Sequence, residues 1–269
     1  MIIAVDTGGT KTLIARFSEK GGITKRTTFP TPQNQKDYLV QLKETLHTLI
    51  KDTPPKALSI AIPGLVRNGV VVWCGNLPWK NFPIVTELQQ EFPGIPIYIE
   101  NDANLGGLAE TRALSPMPDS CVYVTISTGI GTGVIEYGHI DHATRHSEGG
   151  HMLVEFDGLV QKWENFASGK AIYTTYGKYA RDITSERTWR QITDRISRGF
   201  LALIPVIQPD VIIIGGSMGT YFNKYGTQLS RLLAEKLPDH IPCPRVVAAR
   251  HPEEAVVYGC YLYAIDNLA

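Results

Sequence analysis

The sequence contains one pattern twice, and this repeat constrains the fold more than any other feature. Near the start, IIAV-DTGGT-KTLIA ends an apolar strand with a small polar residue and Thr-Gly, and glycine and threonine then lead into a second strand. From Val124, VTI-STGIGT-GVIE has the same order. One glycine-rich turn would mean little because such turns are common, but two with the same order predict two related domains. Each domain would begin with a hairpin whose tip is rich in glycine.

Strand-like and helix-like segments alternate along the rest of the chain. Leucines recur at helical spacing after Tyr38, which predicts an amphipathic helix. The pattern also predicts a long helix from Thr188 to Ile207 and a fully buried strand from Val211 to Ile214. Strands interleaved with helices predict an α/β protein whose sheets are largely buried.

Charge and cysteine content exclude several classes of function. The 26 Lys and Arg residues balance 26 Asp and Glu residues, so the composition gives no reason to expect binding to nucleic acid or to an anionic membrane. The four cysteines are scattered without CxxC spacing, which argues against a zinc cluster or a redox dithiol. The first residues lack a signal-peptide pattern, and no apolar run is long enough to span a bilayer. We therefore expect a cytoplasmic protein.

The two glycine turns have the chemistry of anion-binding loops. Glycine leaves backbone N–H groups open to an anion because no Cβ blocks the approach. The turn from Asp6 to Lys11 adds threonine hydroxyls and a lysine, although its glycine spacing is not that of a Walker A loop. Thr128 to Gly131 supplies a second cradle. Two cradles facing each other across a cleft would hold a polyphosphate, and Asp6 could hold a magnesium ion through water.

A polar cluster, Glu100 to Asn104, follows an apolar strand and begins a helix. Carboxylates at the carboxyl edge of a sheet are well placed for chemistry in a crevice. Asparagine beside aspartate also offers donors and acceptors to a polyol. The alternative is an N-cap cluster, in which Asp102 or Asn101 only satisfies helix N–H groups. This segment by itself leaves both interpretations open.

A third polar group consists of Glu148, His151 and Glu164. Four of the seven histidines lie between His139 and His151, but most of them fall among polar residues on a predicted solvated loop. Their spacing does not favour a metal site. Gly215-Gly216 follows a buried strand and could admit a nucleoside, although alone it is only a tight turn.

Together these motifs resemble the ROK family of sugar kinases and sugar-responsive repressors, within the actin/hexokinase/Hsp70-like superfamily. The motifs that carry the resemblance are DTGGTK, AIPGLV with CGNLPW, ENDAN, STGIGTG, SEGGHM, ENFASGKAI and IIIGGS. Each is weak alone, but the set is highly specific and covers nearly the whole chain. The resemblance implies an α/β fold of two related actin/hexokinase-like (ribonuclease H-like) domains with a central cleft. The smaller N-terminal domain would be residues 1–102 with about 257–269, and the larger C-terminal domain residues 103–256.

The resemblance also implies a role for each matching residue. Asp102 would be the general base. The sugar would be bound by Gly64, Asn76, Asn101, Asp102, Glu148, His151 and Glu164. The phosphates and the nucleoside of ATP would be bound by Asp6, Gly8, Gly9, Thr10, Lys11, Thr128, Gly129, Gly215 and Gly216. Asp6 would also hold Mg²⁺ through water.

Two departures from the family pattern change these expectations. Family members usually carry three cysteines between the histidine of the EGGHM-like motif and the second glutamate, and these bind zinc with that histidine. Residues 152–163 contain no cysteine, so we expect His151 to face the sugar without zinc. Family repressors carry a helix-turn-helix domain ahead of the first strand, whereas this chain starts on the strand. We therefore expect no binding to DNA.

The function predicted from the sequence is ATP- and Mg²⁺-dependent phosphorylation of a hexose, in the first place glucose at its C6 hydroxyl. The NLPW segment resembles the glucose-type members more than the fructose-type ones. An N-acetylglucosamine or N-acetylmannosamine kinase, a polyphosphate-dependent glucokinase and a non-catalytic sugar-binding regulator stay open as alternatives. The expected partners are a sugar and ATP, with no nucleic acid and no membrane. The sequence does not give the oligomeric state, although dimers are common among such proteins and a homodimer stays open.

Overall fold

The computed structural model describes residues 1–50, 53–251 and 254–269. The chain forms two compact units: Met1–Ala109 with Glu254–Ala269, called unit 1, and Glu110–Glu253, called unit 2. The division into domains at residues 102 and 256 stays a prediction. Within the described ranges, no helix has both the length and the apolar character needed to cross a membrane.

Unit 1 contains a mixed five-stranded sheet and a three-stranded sheet. In chain order its elements are β1 (Ile2–Thr7), β2 (Lys11–Phe17), β3 (Ile23–Pro30), α1 (Gln35–Ile50), β4 (Ala57–Ile62), β5 (Gly64–Arg67), β6 (Val70–Cys74), β7 (Lys80–Phe82), α2 (Ile84–Glu91), β8 (Ile97–Asn101) and α3 (Asp102–Arg112), whose last turn belongs to unit 2.

The five-stranded sheet of unit 1 has the order β3-β2-β1-β4-β8. β1 pairs antiparallel with β2 and parallel with β4. Every residue of β4 is buried, as expected of a strand that is covered on both faces. Helix α1 buries Tyr38, Leu42, Leu46 and Leu49, which lie on one face at helical spacing. These residues join the apolar side chains of the sheet in one core.

Unit 2 contains a second five-stranded sheet and a two-stranded hairpin. In chain order the elements are β9 (Ser120–Ile126), β10 (Ile130–Glu136), β11 (His139–Ile140), β12 (Leu153–Phe156), β13 (Leu159–Lys162), α4 (Glu164–Ala167), α5 (Gly169–Tyr176), α6 (Glu186–Ile207), β14 (Val211–Gly215), α7 (Gly216–Gly219), α8 (Gly226–Lys236) and β15 (Arg245–Ala248). The chain then returns to unit 1 as α9 (Ala255–Leu268).

The long helix α6 forms much of the core of unit 2. The hydroxyl of Ser185 accepts a 3.2 Å hydrogen bond from the Thr188 amide and caps the helix, which therefore begins earlier than the apolar pattern predicts. Its buried face includes Ile192, Ile196 and Phe200. These side chains pack with the strands of the sheet in one hydrophobic cluster.

The two five-stranded sheets repeat one topology. The strands of the second sheet have the order β11-β10-β9-β14-β15. When the strands of each sheet are numbered along the chain, both sheets have the order third, second, first, fourth, fifth. In each sheet the first three strands pair antiparallel and the last two join in parallel. The repeat predicted from the sequence is therefore present in the backbone.

Candidate active site

The first glycine turn joins β1 to β2 and requires its glycines for steric reasons. The amide of Gly8 donates a 3.0 Å hydrogen bond to the carbonyl oxygen of Lys11 and closes the turn. A Cβ on Gly8 would lie 2.8 Å from that same oxygen. A Cβ on Gly9 would lie 2.9 Å from Cβ of Asn76. The structure thus brings Asn76, which the family resemblance assigned to the sugar, against the predicted phosphate turn.

Asp6 ends the apolar part of β1 and has an unusual electrostatic environment. Burial raises the pKa of its carboxyl group from 3.8 to about 6, and the positive charge of Lys11 opposes this rise. A partly desolvated carboxylate gains from a cation that neutralises it. The side chain therefore fits the predicted role beside a magnesium ion, a hard cation that prefers oxygen ligands.

The first turn is supported by three residues that lie outside it: Tyr38, Gln33 and Trp79. The sequence analysis gave the first two no role in the site. The hydroxyl of Thr7 lies 2.7 Å from that of Tyr38. The amide group of Gln33 donates to the carbonyl oxygen of Gly9 at 3.4 Å. The indole of Trp79, in the NLPW segment, donates to the backbone carbonyl of Gln33 at 2.8 Å. Part of the NLPW motif therefore supports the phosphate turn. Neither Gln33 nor Tyr38 lies in a motif that could have shown this.

At the end of β8, Asn101 links the start of α3 to the start of β5. Its side-chain oxygen accepts hydrogen bonds from the amides of Ala103 at 2.8 Å and Asn104 at 3.2 Å. Its side-chain nitrogen donates to the carbonyl oxygen of Gly64 at 3.1 Å. The structure therefore brings together two predicted sugar-binding residues, Asn101 and Gly64, within unit 1.

The capping geometry separates the two interpretations of this cluster. Asn101 makes the contacts of an N-cap residue, because its oxygen accepts from the first free amides of α3. Asp102 is the first residue of α3, is half-buried, and accepts a hydrogen bond from the Ala103 amide at 2.9 Å. The role of Asp102 as general base stays a prediction, but the helix does not depend on it as its sole cap.

In unit 2, His151 and Glu164 form a close polar pair. Nε2 of His151 lies 3.1 Å from Oε1 of Glu164, and both side chains are partly exposed. The other carboxylate oxygen of Glu164 accepts a long, 3.4 Å hydrogen bond from the Ile130 amide. Burial raises the pKa of Glu148, and the Glu164 charge adds to this while His151 opposes it. These three predicted sugar ligands are thus electrostatically coupled.

Glycine packing explains how residues distant in sequence meet at this pair. Gly149 and Gly150 lie against β10: the Gly149 amide donates to the hydroxyl of Thr132 at 3.0 Å, and a Cβ on Gly150 would overlap the Ile130 carbonyl. The hairpin β12–β13 then carries the chain from His151 to Glu164. At its base the Trp163 amide donates to the Met152 carbonyl at 2.9 Å.

The second glycine turn is held by several backbone groups. Ser127 accepts a hydrogen bond from the Gly169 amide at 2.7 Å through its carbonyl, and one from the Ser217 amide at 3.0 Å through its hydroxyl. Gly216 has a φ of 70° and lies so close to Ser127 that a side chain would not fit. A Cβ on Gly215 would overlap the Tyr123 hydroxyl.

A cavity of about 370 Å³ lies beside this turn, within unit 2. It is lined by Ser127, Thr128, Gly169, Lys170, Ile172, Tyr173, Tyr179, Ala180, Arg181, Ser217, Met218 and Tyr221. The rings of Tyr173 and Tyr179 stack with centroids 4.4 Å apart. Aromatic faces beside a glycine turn fit a nucleoside attached to phosphates. Of the lining residues, the sequence analysis assigned a role to Thr128 but missed the tyrosines, which lie outside the quoted motifs.

No three His, Cys, Asp or Glu side chains approach closely enough to hold a metal ion in the ranges that the structure describes. The absence of zinc stays a prediction.

Comparison with known proteins identifies the family of this chain. A family model described as the ROK family matches residues 2–267. The chain is 28% identical to a fructokinase of Pediococcus pentosaceus, over 80% of this chain and 79% of the relative. It is also 28% identical to a glucokinase of Thermotoga maritima, over 96% and 95% respectively.

A solved structure shows the same fold. A ROK family glucokinase from Streptomyces griseus, in complex with glucose and AMPPNP, superposes with a TM-score of 0.82 at 22% sequence identity. The match covers 98% of this chain and 99% of that one. The predicted α/β fold of two related actin/hexokinase-like domains is confirmed.

Proposed function

The chain belongs to the ROK family, and from this premise we propose that it is an ATP-dependent kinase that phosphorylates the C6 hydroxyl of a hexose, with glucose as the preferred acceptor. One contact carries the proposal. A Cβ on Gly129, in the second glycine turn, would lie 2.8 Å from the Glu164 carboxylate that pairs with His151. Phosphoryl transfer requires a hydroxyl and a phosphate to meet, and here a predicted sugar ligand touches a predicted phosphate turn.

On the acceptor side, Asp102 is the proposed general base. It takes the proton from the attacking hydroxyl as that oxygen bonds to the γ-phosphorus and the bond to ADP breaks. Asn101, held by Gly64, hydrogen-bonds the sugar ring in unit 1. Glu148, His151 and Glu164 provide donors and acceptors for the ring hydroxyls in unit 2, and Asn76 is a further proposed contact.

On the donor side, backbone amides of the two glycine turns bind the phosphates. Gly8, Gly9 and Thr10 form the first turn, and Lys11 adds a positive charge. Thr128 and Gly129 form the second. Gly215 and Gly216 directly precede Ser217 and Met218, which line the cavity that would accept the nucleoside.

Asp6 is the residue that would hold Mg²⁺, through a bound water. When bound, the ion neutralises phosphate charge that builds up during transfer. The raised pKa of Asp6 supports the assignment, because the carboxylate is poorly solvated without a neighbouring cation. A requirement for Mg²⁺ without zinc, a cytoplasmic location and a homodimer stay predictions.

The test is a coupled assay of ADP release with a panel of acceptors. Glucose, mannose, fructose, N-acetylglucosamine and N-acetylmannosamine are each tested with ATP, and the best acceptor is tested again with inorganic polyphosphate. We expect kcat/KM to be highest for glucose, with an N-acetylated hexosamine next, and ATP to be the better donor.

Activity on fructose alone would contradict the acceptor assignment, and a clear preference for polyphosphate would contradict the donor assignment. Sugar binding without any turnover would indicate the non-catalytic regulator instead. A preparation treated with a zinc chelator and resupplied with Mg²⁺ serves as control, and it should keep full activity.

A further inference from the structure

An arginine-lined groove of about 750 Å³ lies in unit 2, and none of its residues has a role in the proposed reaction. One wall is the first half of α6, which contributes Arg187, Arg190 and Arg195. The other wall includes Phe156 at the end of β12 and Tyr176 at the end of α5. The volume is in the range of small-molecule sites in proteins.

Arg187 and Arg190 are three residues apart and are neighbours on the surface of α6, and Arg195 lines the same groove about two helical turns after Arg187. Arg190 makes a long, 3.9 Å contact with Glu186, and because both side chains are exposed, solvent screens this pair. Arg187 lies in the first turn of the helix, where the helix dipole disfavours a cation. A bound anion would remove that disadvantage.

Arg195 is already fixed in position without a ligand. Its guanidinium lies over the ring of Phe156 at 4.7 Å and near the ring of Tyr176 at 5.7 Å. One of its nitrogens donates to the carbonyl oxygen of Phe166 at 3.1 Å. A planar group held in this way loses little entropy when it binds an anion and matches the geometry of phosphate oxygens.

The acidic residues of the groove indicate which class of ligand it binds. Asp194 is engaged by Arg198 at 3.3 Å, whereas Asp157 at the hairpin turn and Gln191 face the groove as hydrogen-bonding groups. Carboxylates repel a chain of phosphates but accept hydrogen bonds from hydroxyls. The geometry points to a binding site for a phosphorylated sugar, with the phosphate on the arginines and the hydroxyls on Asp157 and Gln191.

The groove is connected by short covalent links to the proposed sugar ligands. Strand β12 begins two residues after His151, and β13 ends two residues before Glu164. Phe156 and Asp157 lie at the far end of this hairpin. Arg195 also bonds to the carbonyl of Phe166, in the short helix that Glu164 begins. We therefore expect a ligand in the groove to shift the position of the His151–Glu164 pair, which would couple the two sites.

The choice of a hexose 6-phosphate as the probe rests on the proposed function, whose product it would be. Calorimetric titration of glucose 6-phosphate into the purified chain, saturated with glucose to occupy the proposed sugar site, tests the groove. In the double variant Arg187→Ala/Arg190→Ala we expect affinity to fall about 100-fold, as for the loss of two charge-assisted hydrogen bonds. Arg231→Ala removes an exposed arginine from helix α8 and should leave the affinity unchanged.

Sugar binding supplies the second readout. As the proposed product, glucose 6-phosphate competes with glucose at the sugar site in every variant, so we expect it to change the Kd for glucose by a different factor in the wild type and Arg231→Ala than in the double variant. Without glucose 6-phosphate, the double variant should have the same kcat and KM as the wild type. Arg187→Lys/Arg190→Lys keeps the charges but not the paired donors, and it should restore part of the affinity.

Three results would overturn the site: equal affinity in the double variant and the control, binding no tighter than that of inorganic phosphate, or tighter binding of polyphosphate. The outcome is independent of the proposed function. If the chain has no kinase activity but binds glucose 6-phosphate through the arginines, the proposed function is rejected and the binding site in the groove is kept. Active enzyme with arginine-independent binding would reject only the groove.

Discussion

The two units share one sheet topology but add different segments to it. In unit 1 the addition, the three-stranded sheet β5-β6-β7, follows the fourth strand of the five-stranded sheet. In unit 2 the addition, the hairpin β12–β13 with α4, precedes the fourth strand. The shared part carries a glycine turn in both units. The added parts differ, and they carry or support predicted sugar-binding residues.

The two glycine turns also differ in charge. The turn of unit 1 begins with the half-buried carboxylate of Asp6 and ends with Lys11, whereas the neutral residues Ser127 and Gly133 stand at the matching positions in unit 2. A duplicated turn thus has one charged copy and one neutral copy. We infer that unit 1 performs the chemistry and holds the metal, while unit 2 mainly positions the substrates. Four predictions test this division.

The largest effect is expected for Asp102→Asn in unit 1. Removal of a general base lowers kcat by about 10² to 10⁴, while the Kd for sugar changes little because Asn101, Glu148 and Glu164 remain. Glu164→Gln in unit 2 should show the opposite pattern: the KM for sugar rises and kcat stays nearly unchanged. Steady-state kinetics and calorimetric sugar binding on both variants give the comparison.

Asn101→Ala is the control for helix capping, and it should lower stability by about 1 kcal/mol. Asp102→Asn should melt close to the wild type, because Asn101 still caps α3. Near-normal turnover in Asp102→Asn would show that Asp102 is not the general base. It would also contradict the inferred division of roles between the two units.

Asp6→Asn should lower activity by about 10- to 100-fold, the size expected for a residue that binds a metal through water. It should also stabilise the protein in a pH-dependent way. Burial raises the pKa of Asp6 to about 6, so the native state binds the proton more tightly than the unfolded chain. The wild-type free energy of unfolding therefore falls as pH rises from about 4 to 6.

Urea unfolding at pH 4, 6 and 8 measures this effect. We expect Asp6→Asn to be more stable than the wild type by about 1 to 3 kcal/mol at pH 8, with no such advantage at pH 4. Asp239→Asn, at an exposed site, should show no pH-dependent difference. If Asp6→Asn and the wild type differ in free energy of unfolding by the same amount at all three pH values, the raised pKa of Asp6 is contradicted.

Gly8→Ala and Gly129→Ala place a methyl group at matching positions of the two turns. In Gly8→Ala the methyl meets the backbone carbonyl of Lys11 at 2.8 Å, which cannot move without opening the turn. We expect a loss of about 1 to 3 kcal/mol of stability. In Gly129→Ala it meets the end of the Glu164 side chain at 2.8 Å, which can rotate away.

Gly129→Ala should therefore keep its melting temperature but raise the KM for sugar about 10-fold, as for one weakened hydrogen bond to a charged group. Thermal melts measure the stability of the two variants, and steady-state kinetics measure their KM for sugar. Equal destabilisation by both would show that the turns are structurally equivalent after all.

The smallest effect is expected for Ser127→Ala. Its hydroxyl accepts from the exposed Ser217 amide, which water can satisfy instead. We expect the KM for ATP to rise roughly two- to fivefold and kcat to stay unchanged. Ser230→Ala removes a hydroxyl from α8, at a position that does not line the cavity, and is the control, with no expected change. A loss of kcat in Ser127→Ala would show that the second turn takes part in the chemical step.

Some of these features follow from local patterns, and others do not. The glycine turns, the long helix and the ROK family resemblance were visible in the sequence because each depends on residues close together in the chain. The edge strand β3 was missed because six of its eight residues are polar or proline, and only Phe29 is buried. The hairpin β12–β13 was missed as well, since several of its apolar residues are exposed and give no clear alternation.

The sequence by itself determined the repeat, the fold class and the residue types of the phosphate and sugar motifs. Only the tertiary structure decided which of them meet. The His151–Glu164 pair, the Trp79–Gln33 support of the first turn and the arginine groove join residues from separate segments. Such contacts depend on how closely backbones approach, as at Gly150 against Ile130, and this distance is set by packing of the whole core. No local pattern of hydrophobicity or propensity contains that distance.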